Sequence, residues 1–181
     1  MLWRREEEVE YSDGDYLIRK AKPSDAKGII DCMQGVMDEK IYLVSEYYLL
    51  TEKAQQDHIR SPDDLTLVCE HGKRIVGVLT LQRGIFKKNR HVGTLGIAIT
   101  KGYRHMGLGT RMIKSAIKWA REQGIEKVCL EVFSSNLNAI EAYKKIGFTV
   151  EGSKSRQFII EGEYVDDVFM SYFIDDEEGI T

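Results

Sequence analysis

By type and spacing, the residues best suited to chemistry in this chain are Arg104, Gly107, Gly109 and Thr110, within GTLGIAITKGYRHMGLGTRMIKSAIKWA. An apolar strand enters this stretch and an amphipathic helix leaves it, opening on Gly107-Leu108-Gly109-Thr110. The first N–H groups of a helix have no partner inside it and carry a partial positive charge, so they suit an anion. Glycine at 107 and 109 permits a tight turn and lets a bulky ligand approach the backbone without a Cβ in the way. Arg104 and His105 place positive charge beside that turn. The loop therefore reads as a pyrophosphate cradle. A Walker loop would end Gly-Lys-Ser/Thr, and a dinucleotide fingerprint would carry a third glycine where Met112 stands, so neither motif is matched. A plain glycine turn with a solvated arginine would leave the same local pattern.

The elements that must position this loop follow from periodicity. Tyr16 to Lys20 alternates as a short strand, and Pro23-Ser24-Asp25 starts a helix with Ala26, Ile29, Ile30, Met33 and Val36 or Met37 at helical spacing. Ser45 to Arg60 reads as a second, less regular helix, and Tyr42, Tyr47 and Tyr48 are core or groove-wall aromatics or substrate contacts. Leu65 to Glu70 and Arg74 to Gln82 are strands joined by His71-Gly72-Lys73, and Phe86 to Arg90 leads into a strand over His91 to Thr100. That strand, a helix over Thr110 to Gln123 stopped at Gly124, and a strand over Lys127 to Phe133 make a parallel crossover. Asn138 is expected to cap a helix of about two turns, with Glu141 as its capping-box partner and Gly147 as its stop. Strands over Phe148 to Glu151, Ser155 to Ile160 and Tyr164 to Phe173, turning at Glu161-Gly162, close the chain.

Alternation in Lys127 to Phe133 puts Val128, Leu130 and Val132 on one face and Cys129, Glu131 and Phe133 on the other. A carboxylate between Cys129 and Phe133 is poorly solvated unless that face opens on a cleft. There it either caps or orients Arg104, His105 or a substrate amine, or takes part in the chemistry.

With 181 residues, 43% hydrophobic and 30% charged, the chain is one globular domain rather than a disordered or collagen-like sequence. A formal net charge of -3 gives no broad basic field, so no nucleic-acid partner is expected. No apolar run spans a bilayer and MLWRREEEVE lacks a signal-peptide core, so no membrane partner and a cytoplasmic location are expected. Cys32, Cys69 and Cys129 are few, scattered and set among apolar residues, which suits buried reduced thiols. The histidines at 58, 71, 91 and 105 lack ligand spacing, and no metal site is predicted. Residues 1–15 and 175–181 read as solvated tails around a domain over 16–174.

Arg104-x-x-Gly107-x-Gly109 after a strand, then LEVFSSN, then NAIEAYKKIGF, in this order and spacing, resembles the GNAT superfamily of acetyl-CoA-dependent N-acetyltransferases, from Tyr16 to Phe173. The resemblance implies an α+β, single-domain GNAT fold. Its mixed, mainly antiparallel sheet has about seven strands, splayed between the fourth and fifth, with about four flanking helices. It implies acetyl-CoA as cosubstrate, with Ile97, Ala98 and Ile99 offering backbone groups to the pantetheine arm. Arg104, His105, Met106, Gly107, Leu108, Gly109 and Thr110 would wrap the pyrophosphate, with Asn136 and Tyr143 further along the same wall. An extended amide chain can bind an open strand edge as another strand would. By the same resemblance Tyr143 faces the thioester sulfur and assists the leaving thiolate, and Glu131 occupies a position used for water-relayed base catalysis.

The implied reaction is direct transfer of an acetyl group to a primary amine in a ternary complex, an acyltransferase activity. The need for a base depends on the amine: at pH 7 about one lysine side chain in 2,500 is neutral, against about one-tenth of an α-amine. The spacing from LEV to asparagine is similar to that of protein α-amino acetyltransferases. The ending GFTVEGSKSRQFIIEGEYVDDVFM is similar to that of bacterial enzymes acting on small amines or amino acids. The acceptor is thus a protein amino terminus or lysine, or a small amine or amino acid. Asp166, Asp167 and the Glu161 to Glu163 turn either attract a cationic amine or form a solvated hairpin edge. A non-catalytic acyl-CoA-binding module is the alternative. A Rossmann-type fold is disfavoured by the antiparallel opening strands. A homodimer through the closing strands is compatible with the family.

Overall fold

The computed structural model describes residues 9–174. In chain order the elements are β1 (Val9–Asp13), β2 (Tyr16–Lys20), α1 (Ala26–Met37), α2 (Glu52–Ile59), β3 (Leu65–His71), β4 (Arg74–Arg83), β5 (Val92–Ile99), α3 (Leu108–Glu122), β6 (Lys127–Phe133), α4 (Leu137–Ile146), β7 (Thr149–Ile160) and β8 (Glu163–Phe173). The strands form one mixed sheet in the order β1-β2-β3-β4-β5-β6-β8-β7. The expected α+β architecture with four helices is present among the described residues. Val9–Asp13, inside the segment read as a tail, pairs with β2 and brings the strand count to eight. Residues 1–8 and 175–181 of the expected tails lie outside the described residues.

The helices cover the sheet according to their apolar stripes. In α3 the buried residues Leu108, Met112, Ile113, Ala116, Ile117, Trp119 and Ala120 recur at three- and four-residue spacing and join a core with Leu67, Leu79, Leu130 and Phe148. In a second cluster α1 buries Ile29 and Cys32 against Val68, Ile75 and Val78. Truncating the fully buried Met112 to alanine would cost about 2–5 kcal/mol. No helix among the described residues is long and apolar enough to cross a membrane.

The feature that creates the site is the splay between β5 and β6, the fourth and fifth strands counted from Tyr16. Their parallel pairing is confined to Val92↔Lys127, Gly93↔Val128 and Thr94↔Cys129. On its other edge β5 stays paired with β4 as far as Ile99↔Gly77. Beyond Thr94, one edge of β5 is therefore open while the strand itself is held.

Three further elements differ from the sequence reading. Only Glu52–Ile59 of the segment read as a helix over 45–60 is helical, capped by Thr51, whose hydroxyl accepts from Ala54 N–H. Side chains satisfy the backbone of the preceding stretch instead. Gln34 Nε2 donates to Glu46 C=O, Gln34 Oε1 accepts from Tyr48 N–H, and Ser45 Oγ donates to Tyr47 C=O. The cap of α4 is Asn136, whose side chain accepts from Ala139 N–H at 3.3 Å, rather than Asn138. The helix accordingly runs for 10 residues, and Glu141 pairs with Lys144 instead of closing a capping box. Finally, the strands expected over 148–160 are one strand, β7, which stays paired with β8 through register shifts at Val150/Gly152 and Lys154/Phe158. The turn into β8 has both Glu161 and Gly162 at positive φ, the backbone that a tight two-residue hairpin favours.

Candidate active site

The splay opens a cleft of about 340 Å³ whose walls include Ile97, Thr110, Glu131, Asn136 and Tyr143. The open edge of β5 supplies its first set of polar groups. Gly84 N–H donates to Val92 C=O and Thr100 N–H donates to Val76 C=O, so the even-numbered residues of β5 direct their backbone groups at β4. The odd-numbered ones point the other way, into the splay. Of the three residues expected on the pantetheine arm, Ile97 and Ile99 face the open edge, whereas the backbone groups of Ala98 belong to the β4 ladder. Ile99 C=O is already engaged there by Arg104 Nε at 2.8 Å.

From that edge the chain turns into the start of α3. Gly107 is the N-cap with φ +77°, a conformation that glycine adopts without strain, and His105 is also left-handed at φ +63°. The first bond of the helix runs from Arg111 N–H to Gly107 C=O, so the N–H groups of Leu108, Gly109 and Thr110 precede the ladder. A Cβ added at Gly107 would meet nothing within 4 Å, and one at Gly109 would touch only Ile97 at 3.7 Å. The cradle therefore leaves space over its own backbone, which fits a phosphate-bearing ligand. His105, Gly107, Gly109 and Thr110 line the cleft. Leu108 turns its side chain into the core, so it would meet a ligand through backbone alone, and Met106 is exposed with its sulfur 3.8 Å from the Tyr16 hydroxyl.

Arg104 lies at the cleft with its guanidinium already engaged by other parts of the protein. Its guanidinium is paired with the Glu39 carboxylate and lies 4.5 Å from the centre of the Tyr42 ring. That hydrogen-bonded pair raises its pKa further above the ordinary value. The carboxylate on Arg104 is thus that of Glu39 and not that of Glu131.

On the facing wall, Tyr143 projects from α4 with its ring 5.9 Å from that of Phe148. Burial raises its phenol to about 12, so it carries its proton at any physiological pH. Glu131 is exposed and lines the cleft, as the alternation in β6 requires if that face opens, while Val128, Leu130 and Val132 are buried in the core. Asn136 combines two roles, capping α4 and lining the cleft. Among the thiols, Cys32 and Cys69 are buried and Cys129 is half-buried. Burial pushes Cys69 up to about 11 and raises Cys32, the reverse of what an acyl-carrying thiolate needs.

Residues of α1, of the stretch that follows it and of the β7–β8 turn complete the far side. Val36, Tyr42 and Leu43 line the cleft, and a groove continues from Tyr42, Asn136 and Asn138 to Glu161 and Glu163 at the β7–β8 turn. Tyr47 is largely exposed and Tyr48 donates to Gln55, so of the three tyrosines Tyr42 alone lines that cleft. The Asp166 carboxylate accepts from Arg156 N–H at 2.7 Å and Asp167 is buried, which leaves Glu161 and Glu163 as the acidic residues of the groove.

Comparison with known proteins agrees with this arrangement. Residues 31–148 match the model of the acetyltransferase (GNAT) family. The chain is 31% identical over 101 residues to the L-amino acid N-acetyltransferase of Escherichia coli, a match spanning 54% of this chain and 60% of that one. It is 29% identical over 160 residues to an N-alpha-acetyltransferase of Sulfurisphaera tokodaii, across 82% of this chain and 89% of the relative. The crystal structure of a GNAT-family acetyltransferase from Streptococcus pneumoniae superposes with a TM-score of 0.82 at 32% identity, covering 88% of this chain and 99% of that one. With the splayed sheet, the glycine cradle and these matches together, the chain belongs to the acetyltransferase (GNAT) family, a family of acyltransferases.

Proposed function

We propose that this protein transfers the acetyl group of acetyl-CoA to a primary amine by direct attack in a ternary complex. The observation that carries the reading is the alignment of three features along one cleft: the open β5 edge, the N-terminus of α3, and the protonated Tyr143 phenol. In this reading Ile97 and the N–H of Ile99 hold the extended amides of the cosubstrate, and the N–H groups of Leu108, Gly109 and Thr110 meet its pyrophosphate. Acetyl-CoA supplies an activated thioester. Tyr143 hydrogen-bonds and protonates the departing sulfur, and Glu131 accepts the proton of the amine directly or through water.

The amine enters along the groove toward Glu161 and Glu163. Those two carboxylates favour a cationic acceptor, whether a small amine or a peptide carrying positive charge. The relatives named above act, by their names, on L-amino acids or on α-amines, so both acceptor sizes belong in the test. Calorimetric titration with acetyl-CoA, followed by thiol release with spermidine, L-amino acids and amino-terminal peptides, decides the matter. Binding with release on one class establishes the reaction and its acceptor. Binding without release on any of them points to an acyl-CoA-binding module, and no binding overturns the cradle.

A further inference from the structure

The first residue of the Arg104-x-x-Gly107-x-Gly109 loop already has every one of its three side-chain nitrogens engaged within the protein. Nε donates to Ile99 C=O at 2.8 Å, Nη1 donates to Glu39 Oε2 at 2.8 Å, and Nη2 donates to the other oxygen of the same carboxylate. Tyr42 covers one face of the planar group. The arginine and glutamate side chains are only 22% and 18% exposed. A two-pronged guanidinium–carboxylate pair fixes orientation as well as distance, which a lysine in the same place could not do. Moving Arg104 onto a pyrophosphate would leave a poorly solvated Glu39 carboxylate beside a second anion, an arrangement that both desolvation and repulsion oppose.

The contacts join parts of the molecule that are distant in sequence. Ile99 ends the open edge of β5. Glu39 lies in the turn that follows α1, where Lys40 takes φ +60°, and it opens the irregular stretch whose Tyr42 and Leu43 line the cleft. That stretch has no regular ladder of its own: the amides of Glu39, Lys40 and Tyr48 bond to Val36 C=O, Met37 C=O and the Gln34 side chain. Such a segment needs an anchor from outside itself.

We propose that Arg104 is a positioning residue that clamps the 38–50 segment to the end of β5 and so sets the acceptor-side wall of the cleft, leaving the pyrophosphate to the backbone of Gly107 to Thr110. The kinetic part of this proposal rests on the transferase reading; the structural part does not.

The test uses the full chain with Glu39→Gln, Arg104→Lys and both changes together. Three quantities are read: amide hydrogen exchange at Glu39, Lys40 and Tyr48, calorimetric affinity for acetyl-CoA, and the KM of the best acceptor in the thiol-release panel. Each single variant is expected to exchange those three amides about tenfold faster with the amides of α3 unchanged. Affinity for acetyl-CoA stays within about threefold, acceptor KM rises about tenfold, and the double variant is no worse than the poorer single one. A roughly tenfold tighter grip on acetyl-CoA in Glu39→Gln would mean that the freed arginine reaches the phosphates, and the proposal would fall. It would fall equally if Arg104→Lys weakened acetyl-CoA binding about tenfold while the three amides kept their protection. If no amine in the panel is acetylated, the transferase reading fails on its own, and exchange and calorimetry still decide the clamp.

Discussion

The two sides of the cleft are built in different ways. The proposed cosubstrate side comes from one continuous run, β5 through the start of α3, and would work through backbone groups: an open strand edge and the first N–H groups of a helix. The proposed acceptor side is assembled from Ile41 to Leu43, Glu131, Asn138, Glu161 and Glu163, and would work through side chains. Backbone recognition tolerates change in most side chains but demands particular glycines. Side-chain recognition lets the fold stay the same while the acceptor changes, which is consistent with the different amines named for the relatives of this chain.

The sharpest way to break that contrast is at the residue between the two sides. Tyr143→Phe is expected to lower kcat about 100-fold, at the low end for a general acid because a thiolate leaves readily, with acetyl-CoA affinity within about twofold. Rapid-mixing thiol release beside calorimetry measures both, and an unchanged kcat would remove Tyr143 from the chemistry. Glu131→Gln should cost about tenfold more against a lysine-like amine than against an α-amine, because far less of the former is neutral at pH 7. Equal losses on both would reduce Glu131 to a structural neighbour.

On the cosubstrate side, Gly107→Ala puts a Cβ on a left-handed residue and should cost about 1 kcal/mol of stability. It should also weaken acetyl-CoA about tenfold by disturbing the start of α3, with acceptor KM unaffected. Urea melts and calorimetry read the two effects separately.

Alkaline stability probes the boundary itself. Tyr143 has a folded pKa raised to about 12 from its ordinary value near 10, so the protonated phenol favours the fold fully below about pH 10. That contribution is lost as pH rises through 12, where about 2 kcal/mol is expected to have gone. Cys69, raised to about 11, adds a loss of the same sign beginning near pH 9. Urea unfolding of the parent and Tyr143→Phe between about pH 8 and 12 should therefore diverge above about pH 10, and parallel curves would contradict the burial of the phenol. The smallest effect belongs to the exposed acceptor rim. Glu161→Gln with Glu163→Gln should raise the KM of a cationic acceptor about threefold at low salt and leave a neutral one unchanged, a difference that vanishes in high salt.

The contrast also explains what was legible beforehand. Gly107, Gly109 and the helix they open lie within a few residues of one another, so local spacing revealed them, and the alternation of β6 placed Glu131 away from the core. The helix expected over 45–60 shrinks to Glu52–Ile59 because the backbone before it is satisfied by Gln34, a side chain of another element that no periodicity reports. Asn136 displaces Asn138 as the cap for a similar reason: both are good capping residues, and the path of the chain leaving β6 chooses between them.

By itself the sequence determined the order of strands and helices, the parallel crossover and the glycine cradle, since each depends on residues close together in the chain. Tertiary structure alone decided that Val9–Asp13 joins the sheet, that only the odd residues of β5 face the splay, and that Arg104 meets Glu39. Those outcomes depend on strand register and on a contact spanning 65 residues, and both are set by the packing of whole elements rather than by any local pattern.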